Sequence, residues 1–182
     1  MGLGENPRLH VVTADGRPFL QATDERYDLI VVDAYRQPYI PFYLATREFF
    51  RLARERLAPG GVLALNVAQV PGDDRLSEAI GSTLLAEFPQ GWAWKPLRFN
   101  ELMLGFDRPV GRVELLDRAR SVDSRIASLV PLLERQLRPV LAEVSPLTDD
   151  QAPVEWLTDR MIVEYIAEGG GDIEEDLLPT AP

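Results

Sequence analysis

Residues 27–66 constrain the fold more than any other part of this 182-residue chain. They open with four consecutive aliphatic residues, Leu29-Ile30-Val31-Val32, and this run ends at Asp33. A continuous apolar run of this kind is typical of a strand that is buried on both faces, as in a parallel sheet between helices. Asp33 then stands at the carboxyl end of the strand, where open α/β sheets place the groups that contact ligands.

The rest of this segment completes a strand–helix–strand unit. Thr46 is a good helix N-cap, and apolar side chains recur after it at helical spacing. The turn Pro59-Gly60-Gly61 ends the predicted helix and leads into a second apolar strand at residues 62–67. Two strands joined in this way are parallel and connected by a right-handed crossover almost without exception.

Weaker patterns predict further elements on either side of this unit. A strand is predicted at residues 9–13, a short helix from Pro18, and an antiparallel hairpin at residues 92–97 and 102–106. One predicted helix is capped by Asp73 or Asp74, and another by Thr148 or Asp149. Between them lie two predicted helices, at residues 112–120 and 126–141, interrupted by Pro131 and Pro139.

The composition excludes several classes of protein. A hydrophobic fraction of 46% suits one domain with its own core. No apolar run approaches the roughly 20 residues that cross a bilayer, and the N-terminus does not resemble a signal peptide. The net charge of −10 argues against nucleic acid or an anionic membrane as partner. It suits a cationic substrate, although solubility alone also explains it. The absence of cysteine is compatible with a reducing cytoplasm.

Three motifs of the chain are found together in one known family. The first is YDLIVVDAYRQPYIPFYLATREFFRLARERLAPGGVLALNV, the second is Asp15-Gly16-Arg17, and the third is the LTDDQAPVE segment at residues 147–155. Together they resemble the spermidine-synthase-like proteins. The resemblance implies an α/β fold with the three-layer, Rossmann-like sheet of class I methyltransferases. We therefore expect a partial domain of this type at residues 1–110. The helical patterns after it predict an extension at residues 111–168, and the glycines and acids that follow predict a flexible acidic tail at residues 169–182.

The resemblance also implies roles for four residues. Asp33 would deprotonate or position an attacking amine, and Tyr35 would lie near the centre of group transfer. Asp15 would accept a hydrogen bond from the adenine amino group of S-adenosylmethionine or its decarboxylated form, and Gly16 would let the backbone approach the ring. Simpler roles also fit, since Asp15 suits a helix N-cap and Tyr35 suits packing of the loop over the sheet. His10 is the only histidine, and we expect no metal cofactor.

Two departures from the family pattern keep other functions open. Arg36 stands where polyamine-making members have a second acid, which reverses the local charge. The glycine-rich loop and the first two strands of such domains do not precede residue 8. We therefore expect a fragment, or a chain whose partner completes the sheet beside the exposed edge of the Asp33 strand.

The expected function is aminopropyl transfer to a small-molecule amine in polyamine biosynthesis. The expected site of this reaction is the cytoplasm, with no nucleic acid or membrane as partner and with a homodimer as one possible assembly. One alternative is a non-catalytic subunit that needs a partner, and another is a small-molecule methyltransferase. The two transfer reactions differ in the mass of their products.

Overall fold

A five-stranded sheet organises the chain in the computed structural model, which describes residues 6–34, 39–121 and 129–170. Within these residues the elements follow one another in this order: α1 (Gly16–Ala22), β1 (Tyr27–Val32), a 3-10 turn (Phe42–Leu44), α2 (Arg47–Glu55), β2 (Leu57–Ala68), α3 (Arg75–Leu85), β3 (Gln90–Leu97), β4 (Asn100–Phe106), α4 (Arg112–Arg120), α5 (Val130–Gln136), β5 (Arg138–Pro139) and α6 (Val154–Ala167).

The sheet contains the predicted parallel unit and the predicted hairpin. β1 and β2 pair in parallel, with Ile30 opposite Leu63 and Val32 opposite Leu65, and α2 connects them. β4 lies antiparallel between β2 and β3, so the strand order is β1-β2-β4-β3-β5. This mixed sheet with its helices confirms the predicted α/β fold class.

Helix α2 forms because the local sequence supplies both a cap and an apolar face. Thr46 Oγ1 accepts a hydrogen bond from Phe49 N at 3.4 Å, which confirms the predicted N-cap. Phe49, Phe50 and Ala53 are buried in the same core cluster as Leu63 of β2. Burying one phenylalanine stabilises the fold by about 1.5–3 kcal/mol, whereas an N-cap contributes about 1 kcal/mol. Packing therefore dominates the stability of this helix.

Helices cover both faces of the sheet. α2, α3 and α6 contribute buried side chains to a cluster that includes Leu63 of β2. On the opposite face, Trp92 of β3 and Phe106 of β4 are buried together with Leu116 of α4 and Leu137, which follows α5. The alternation of side chains along each strand assigns these two clusters to different faces. This arrangement has the three layers that we predicted.

Residues after position 110 share the core of the sheet. Met161 and Tyr165 of α6 are buried in the same cluster as the β2 side chains. The Tyr165 ring also packs edge-on against Phe99 at the tip of the β3–β4 hairpin, with ring centroids 5.9 Å apart. The division of the chain at residue 110 stays a prediction. Of the predicted tail at residues 169–182, only residues 169 and 170 are among the described residues.

The strand predicted at residues 9–13 is wrong. These residues have no regular structure, and Val11 and Val12 are 75% and 60% exposed. β-branched residues favour a strand only where a neighbouring strand takes up their backbone hydrogen bonds and packs against their side chains. No strand in the described parts of the chain pairs with residues 9–13. The local preference of residues 9–13 for a strand therefore does not produce one.

The helix predicted at residues 126–141 ends before Pro139, where an interruption is predicted, but no helix resumes at residues 140–141. Pro131, the other predicted interruption, lies in the first turn of α5. α5 stops at Gln136, and Arg138 and Pro139 pair with Ala93 and Trp92 as the short strand β5. A proline disfavours helical geometry in the residue before it and lacks the N–H that a helix interior needs. The predicted start of this helix falls within residues 122–128, which lie outside the described residues.

The predicted cap of the last helix, Thr148 or Asp149, is also wrong. α6 begins at Val154, directly after Pro153, whose ring geometry suits a helix start. The backbones of Thr148 and Gln151 instead bond to each other, with N···O distances of 3.1 and 2.9 Å, and close a turn before the helix. The Asp149 side chain binds elsewhere in the fold.

β2 begins earlier than predicted and passes through the Pro59-Gly60-Gly61 turn. Leu57 lies opposite Tyr27, yet Val62 already lies opposite Leu29, so the intervening residues of β2 bulge out of the ladder. Gly60 has a φ of +82°, which favours glycine. A Cβ on Gly61 would lie 2.9 Å from the carbonyl oxygen of Tyr27. Both glycines are therefore needed where the chain leaves α2 and enters the sheet.

β1 forms an edge of the sheet within the described residues, as predicted. Ile30 and Val32 are buried, whereas Leu29 and Val31 are 56% and 59% exposed. Burial of this strand on both faces is therefore a wrong prediction. The reason is that α4 and α5 pack on one face of the sheet over β3 and β4 only. β1 is at the other edge of the sheet, so these helices leave its residues on that face exposed.

Candidate active site

Asp33 follows the last residue of β1 and lies exposed at the carboxyl end of this strand, as predicted. Asn66, near the carboxyl end of β2, donates a hydrogen bond from Nδ2 to Asp33 Oδ1 at 2.9 Å. An ionised carboxylate has about four acceptor positions, so Asp33 retains capacity for a further donor such as an amine. Tyr35, the other predicted catalytic residue, and Arg36 lie outside the described residues.

Asp15 caps the first helix, which is the simpler of its two predicted roles. Its Oδ1 accepts a hydrogen bond from Arg17 N at 3.0 Å, and its Oδ2 accepts one from the Tyr43 hydroxyl at 3.0 Å. Gly16 is the first residue of α1, and a Cβ there would meet no heavy atom within 4 Å. The side of Gly16 that a side chain would occupy is therefore open for the approach of another molecule. Contact of either residue with adenine stays a prediction.

An open, mainly apolar cleft of about 460 Å³ lies between α1 and β1 and brings Gly16 and Asp33 together. Its volume falls in the range of about 300–1,000 Å³ that is common for small-molecule sites. Asp15 precedes Gly16 directly, so three of the four predicted site residues lie at or beside this cleft. The cleft is lined by Gly16, Phe19, Leu20, Tyr27, Leu29, Ile30, Val31, Val32, Asp33, Ala34, Leu44 and Phe49.

A second cleft, of about 320 Å³, lies between the start of α3 and α6 and is rich in carboxylates. Four of its six charged lining residues form ion pairs. Arg75 binds both Asp73 and Glu164, and Lys95 Nζ lies 2.7 Å from Asp74 Oδ1. The hydrogen bonds from Arg75 lower the pKa of Asp73 despite its partial burial. These ion pairs join the α3 start to α6, and this cleft lacks the residues that the sequence motifs single out.

The most extensive polar contact beside the α1–β1 cleft joins Arg17 to Asp149, which are 132 positions apart. Arg17 donates from Nη1 to Asp149 Oδ1 at 2.8 Å and from Nη2 to Asp149 Oδ2 at 2.6 Å. Nη1 also donates to the backbone oxygen of Tyr43 at 3.0 Å. The Thr46 hydroxyl donates to Asp149 Oδ1 at 2.7 Å, and Asp149 N donates to Glu48 Oε2 at 3.0 Å. We call these five residues the Arg17–Asp149 clasp.

The clasp has a clear electrostatic effect. The hydrogen bonds from Arg17, together with that from Thr46, hold the pKa of Asp149 below its ordinary value, although partial burial opposes this. The pKa of Arg17 is raised by the same carboxylate. Both partners are therefore charged at neutral pH, and the two-pronged geometry is that of a strong ion pair.

The clasp brings together two motifs that sequence reasoning treated separately. Arg17 belongs to the Asp15-Gly16-Arg17 turn and Asp149 to the LTDD segment, which we predicted to be a helix cap. The clasp connects the start of α1 to the start of α2 through Thr46 and Glu48. The sequence offers one signal for this ion pair. Arg17 and Asp149 carry opposite charges and lie in two motifs of the same family.

Asn66 and Asn100 are also functional candidates that sequence reasoning missed. Asn66 follows a buried strand, and the carboxyl ends of two parallel strands meet at the same edge of a sheet. That rule alone would have placed Asn66 beside Asp33. Asn100 could not have been found in the same way, because its place depends on the register between β2 and β4.

The described residues lack both a membrane-spanning helix and a cluster of metal-ligand side chains. No helix in residues 6–34, 39–121 and 129–170 is long and apolar enough to cross a bilayer. No group of three or more His, Cys, Asp or Glu side chains in these residues has an arrangement that could hold a metal ion.

The sequence matches proteins of polyamine metabolism. Residues 2–81 match the sequence model of the spermine/spermidine synthase domain. A probable polyamine aminopropyl transferase of Bifidobacterium longum is 30% identical over 187 residues, which cover 92% of this chain and 42% of that protein. The chain thus spans less than half the length of this relative.

Solved structures show the same fold. A spermidine synthase in complex with the transition state analogue AdoDATO superposes with a TM-score of 0.55 at 13% identity, covering 92% of this chain and 53% of that one. Human methyltransferase-like protein 13 in complex with SAH superposes with a TM-score of 0.52 at 23% identity, covering 79% of this chain and 64% of that one. The sequence matches confirm the resemblance to spermidine-synthase-like proteins. The superpositions show that this chain has a methyltransferase-like fold.

Proposed function

We propose that this protein is a spermidine-synthase-type aminopropyltransferase of polyamine biosynthesis. The observation that carries the proposal is the position of Asp33, which ends β1 at the carboxyl edge of the sheet and lines one cleft with Gly16. This is the place where α/β sheets bind their ligands. The matching residues of the spermine/spermidine synthase domain, 2–81, include both of these residues.

Asp33 is the proposed catalytic residue. An attacking amine must be neutral, and a carboxylate within hydrogen-bond reach orients the amine and takes up its proton. In the step that we propose, the amine nitrogen bonds to the aminopropyl carbon, and the bond from this carbon to sulfur breaks. The electron pair of that bond stays on sulfur, and the amine proton passes to Asp33 and then to water. Tyr35 is proposed to lie beside the reacting groups.

Asp15 and Gly16 are proposed to bind the adenine of decarboxylated S-adenosylmethionine, the co-substrate. The space at the Cβ position of Gly16 is open, so a planar ring can approach the start of α1 there. The carboxylate of Asp15 is held by Arg17 N and the Tyr43 hydroxyl, and it keeps acceptor capacity for the adenine amino group. The apolar residues of the cleft, Leu29 and Val31 among them, suit the faces of the ring.

The charge of the protein supports a cationic amine as acceptor. A net charge of −10 attracts polyamines and repels anionic compounds by long-range steering. The lack of cysteine suits a cytoplasmic enzyme, and we place the reaction there.

A small-molecule methyltransferase is a second candidate. Two observations favour it: the fold is shared with a methyltransferase solved in complex with SAH, and Arg36 replaces the second acid that the family resemblance leads us to expect. In this case the co-substrate is S-adenosylmethionine itself. The cleft and the role of Asp33 remain the same, and the transferred group and the acceptor differ.

A third candidate is a chain that acts only with a partner. The observation behind it is the exposed edge of β1, where Leu29 and Val31 are more than half exposed. A strand from a second polypeptide, a second copy of this chain included, would pair with this edge and cover the cleft. Sedimentation analysis tests this candidate, because a monodisperse monomer that binds the nucleoside on its own contradicts it.

Analysis of the product by mass spectrometry distinguishes the two transfer reactions. The purified chain is incubated with a diamine and with either S-adenosylmethionine or its decarboxylated form. We expect the diamine to gain an aminopropyl group, and only with the decarboxylated co-substrate. Gain of a methyl group instead would contradict the proposal and support the second candidate.

A further inference from the structure

A row of three hydrogen-bonded side chains runs across β1, β2 and β4 and ends at Asp33. Asn100 Nδ2 donates to Asn66 Oδ1 at 2.9 Å, and Asn66 Nδ2 donates to Asp33 Oδ1 at 2.9 Å. The register explains why they meet. Val32 lies opposite Leu65, which brings the next residues, Asp33 and Asn66, side by side.

The orientation of the Asn66 amide follows from its neighbours on both sides. An ionised carboxylate only accepts hydrogen bonds, so Asn66 must direct its NH₂ group toward Asp33. Asn100 donates to the amide oxygen of Asn66 and thereby holds this orientation. The reversed amide would bring its oxygen against the carboxylate and its NH₂ against the Asn100 donor, and both contacts would be repulsive.

Asn100 is itself fixed by the β3–β4 hairpin. It lies opposite Ala68 of β2 and Leu97 of β3 in the ladder. Gln69, which is 4% exposed, holds the adjoining turn, because its backbone N donates to Phe99 O at 3.0 Å. Asn100 therefore stands on a rigid part of the sheet, whereas Asp33 is the first residue after a strand.

We propose that Asn66 is a positioning residue for Asp33 and that Asn100 sets the orientation of the Asn66 amide. This inference rests on the proposed function, in which Asp33 faces the attacking amine. Asn66 binds Oδ1 and restricts rotation of the Asp33 side chain. The other oxygen, Oδ2, is then the one that receives the amine proton. The β3–β4 hairpin thus contributes to the reacting site through Asn100, which acts on Asp33 by way of Asn66.

The first test measures the Asp33 side chain directly by NMR in the full chain. Three-bond couplings report the χ1 populations of Asp33 in the wild type, in Asn66→Leu, in Asn100→Leu and in the control Gln21→Leu. We expect one dominant rotamer in the wild type and the control. We expect averaging over several rotamers in Asn66→Leu and an intermediate result in Asn100→Leu.

Equal Asp33 χ1 populations in the wild type, Asn66→Leu and Asn100→Leu would overturn the proposal, and so would averaging in the wild type. Backbone amide shifts of β2 and β4 show whether each variant keeps its fold. A variant that loses the fold is replaced by Asn66→Ser or Asn100→Ser, which keep a polar side chain too short to bridge the same distance.

A kinetic test adds a readout that a merely structural residue would not move. We expect Asn66→Leu to lower kcat by about 10- to 100-fold, the range that small misplacement of a catalytic group produces. The KM for the nucleoside co-substrate should stay unchanged, because Asn66 does not touch adenine in the proposed arrangement. A change in KM alone would contradict the positioning role. If the wild type transfers no group, the proposed function fails, and the rotamer measurement still decides the role of Asn66.

Discussion

Replacing Asp33 by asparagine is expected to lower kcat for aminopropyl transfer by about 10²- to 10⁴-fold, the usual contribution of a general base. The amide has nearly the same shape as the carboxylate, so the fold and the cleft are preserved. It carries no charge and cannot take up the amine proton. Initial rates at saturating diamine and decarboxylated S-adenosylmethionine measure the effect.

Asp28→Asn is the matched control for this prediction. Asp28 lies in β1, near the end of the strand that is opposite to Asp33, and it is exposed. We expect its kcat to equal that of the wild type. Nucleoside binding should be the same in both variants, since neither residue is proposed to contact adenine. A kcat of Asp33→Asn close to the wild-type value would remove Asp33 from the mechanism.

Replacing Asp149 by alanine is expected to lower the free energy of unfolding by about 2 kcal/mol, as judged from charge-assisted hydrogen bonds. The substitution leaves the Arg17 guanidinium without its carboxylate, although only 16% of the Arg17 side chain is exposed. The Asp149 side chain is 41% exposed, so water screens part of the attraction and keeps the effect below that of a buried pair. Urea denaturation followed by circular dichroism measures the change.

The neighbouring Asp150→Ala serves as control, and we expect it to change the free energy of unfolding by less than about 0.5 kcal/mol. The effect of Asp149→Ala should depend on pH. The folded-state pKa of Asp149 lies below its ordinary value of 3.8. Its stabilisation is therefore fully present above the unfolded-state pKa and is lost as the pH falls through the lowered folded-state value. An effect of Asp149→Ala that is equal at pH 7 and at pH 2 would contradict the clasp.

The sequence predicts the centre of the fold well because the signals there are local. The apolar run 29–32, the Thr46 cap and the Pro59-Gly60-Gly61 turn each specify their own conformation within a few residues. The position of Asp33 at the carboxyl end of β1 follows from the strand–helix–strand unit at residues 27–66 alone. The hairpin of β3 and β4 is likewise a pairing of neighbours in sequence.

Contacts between distant residues could not be predicted in the same way. The Arg17–Asp149 pair and the Asn66–Asn100 hydrogen bond arise only when the sheet and its helices have packed. The error at residues 9–13 has the same cause, because a β-branched run becomes a strand only beside another strand. The pairing of Arg138 and Pro139 with β3 was missed for the same reason, because it depends on a strand that is distant in the sequence.

The central claim is that the cleft between α1 and β1 binds an adenine nucleoside. Titration of the purified chain with decarboxylated S-adenosylmethionine, S-adenosylmethionine and methylthioadenosine tests it most directly, with heat and thermal stability followed together. We expect the decarboxylated co-substrate and methylthioadenosine to bind more tightly than about 1 mM, which corresponds to about −4 kcal/mol, and to raise the midpoint of unfolding. A folded chain that shows neither heat nor a shift with any of the three compounds would contradict the claim.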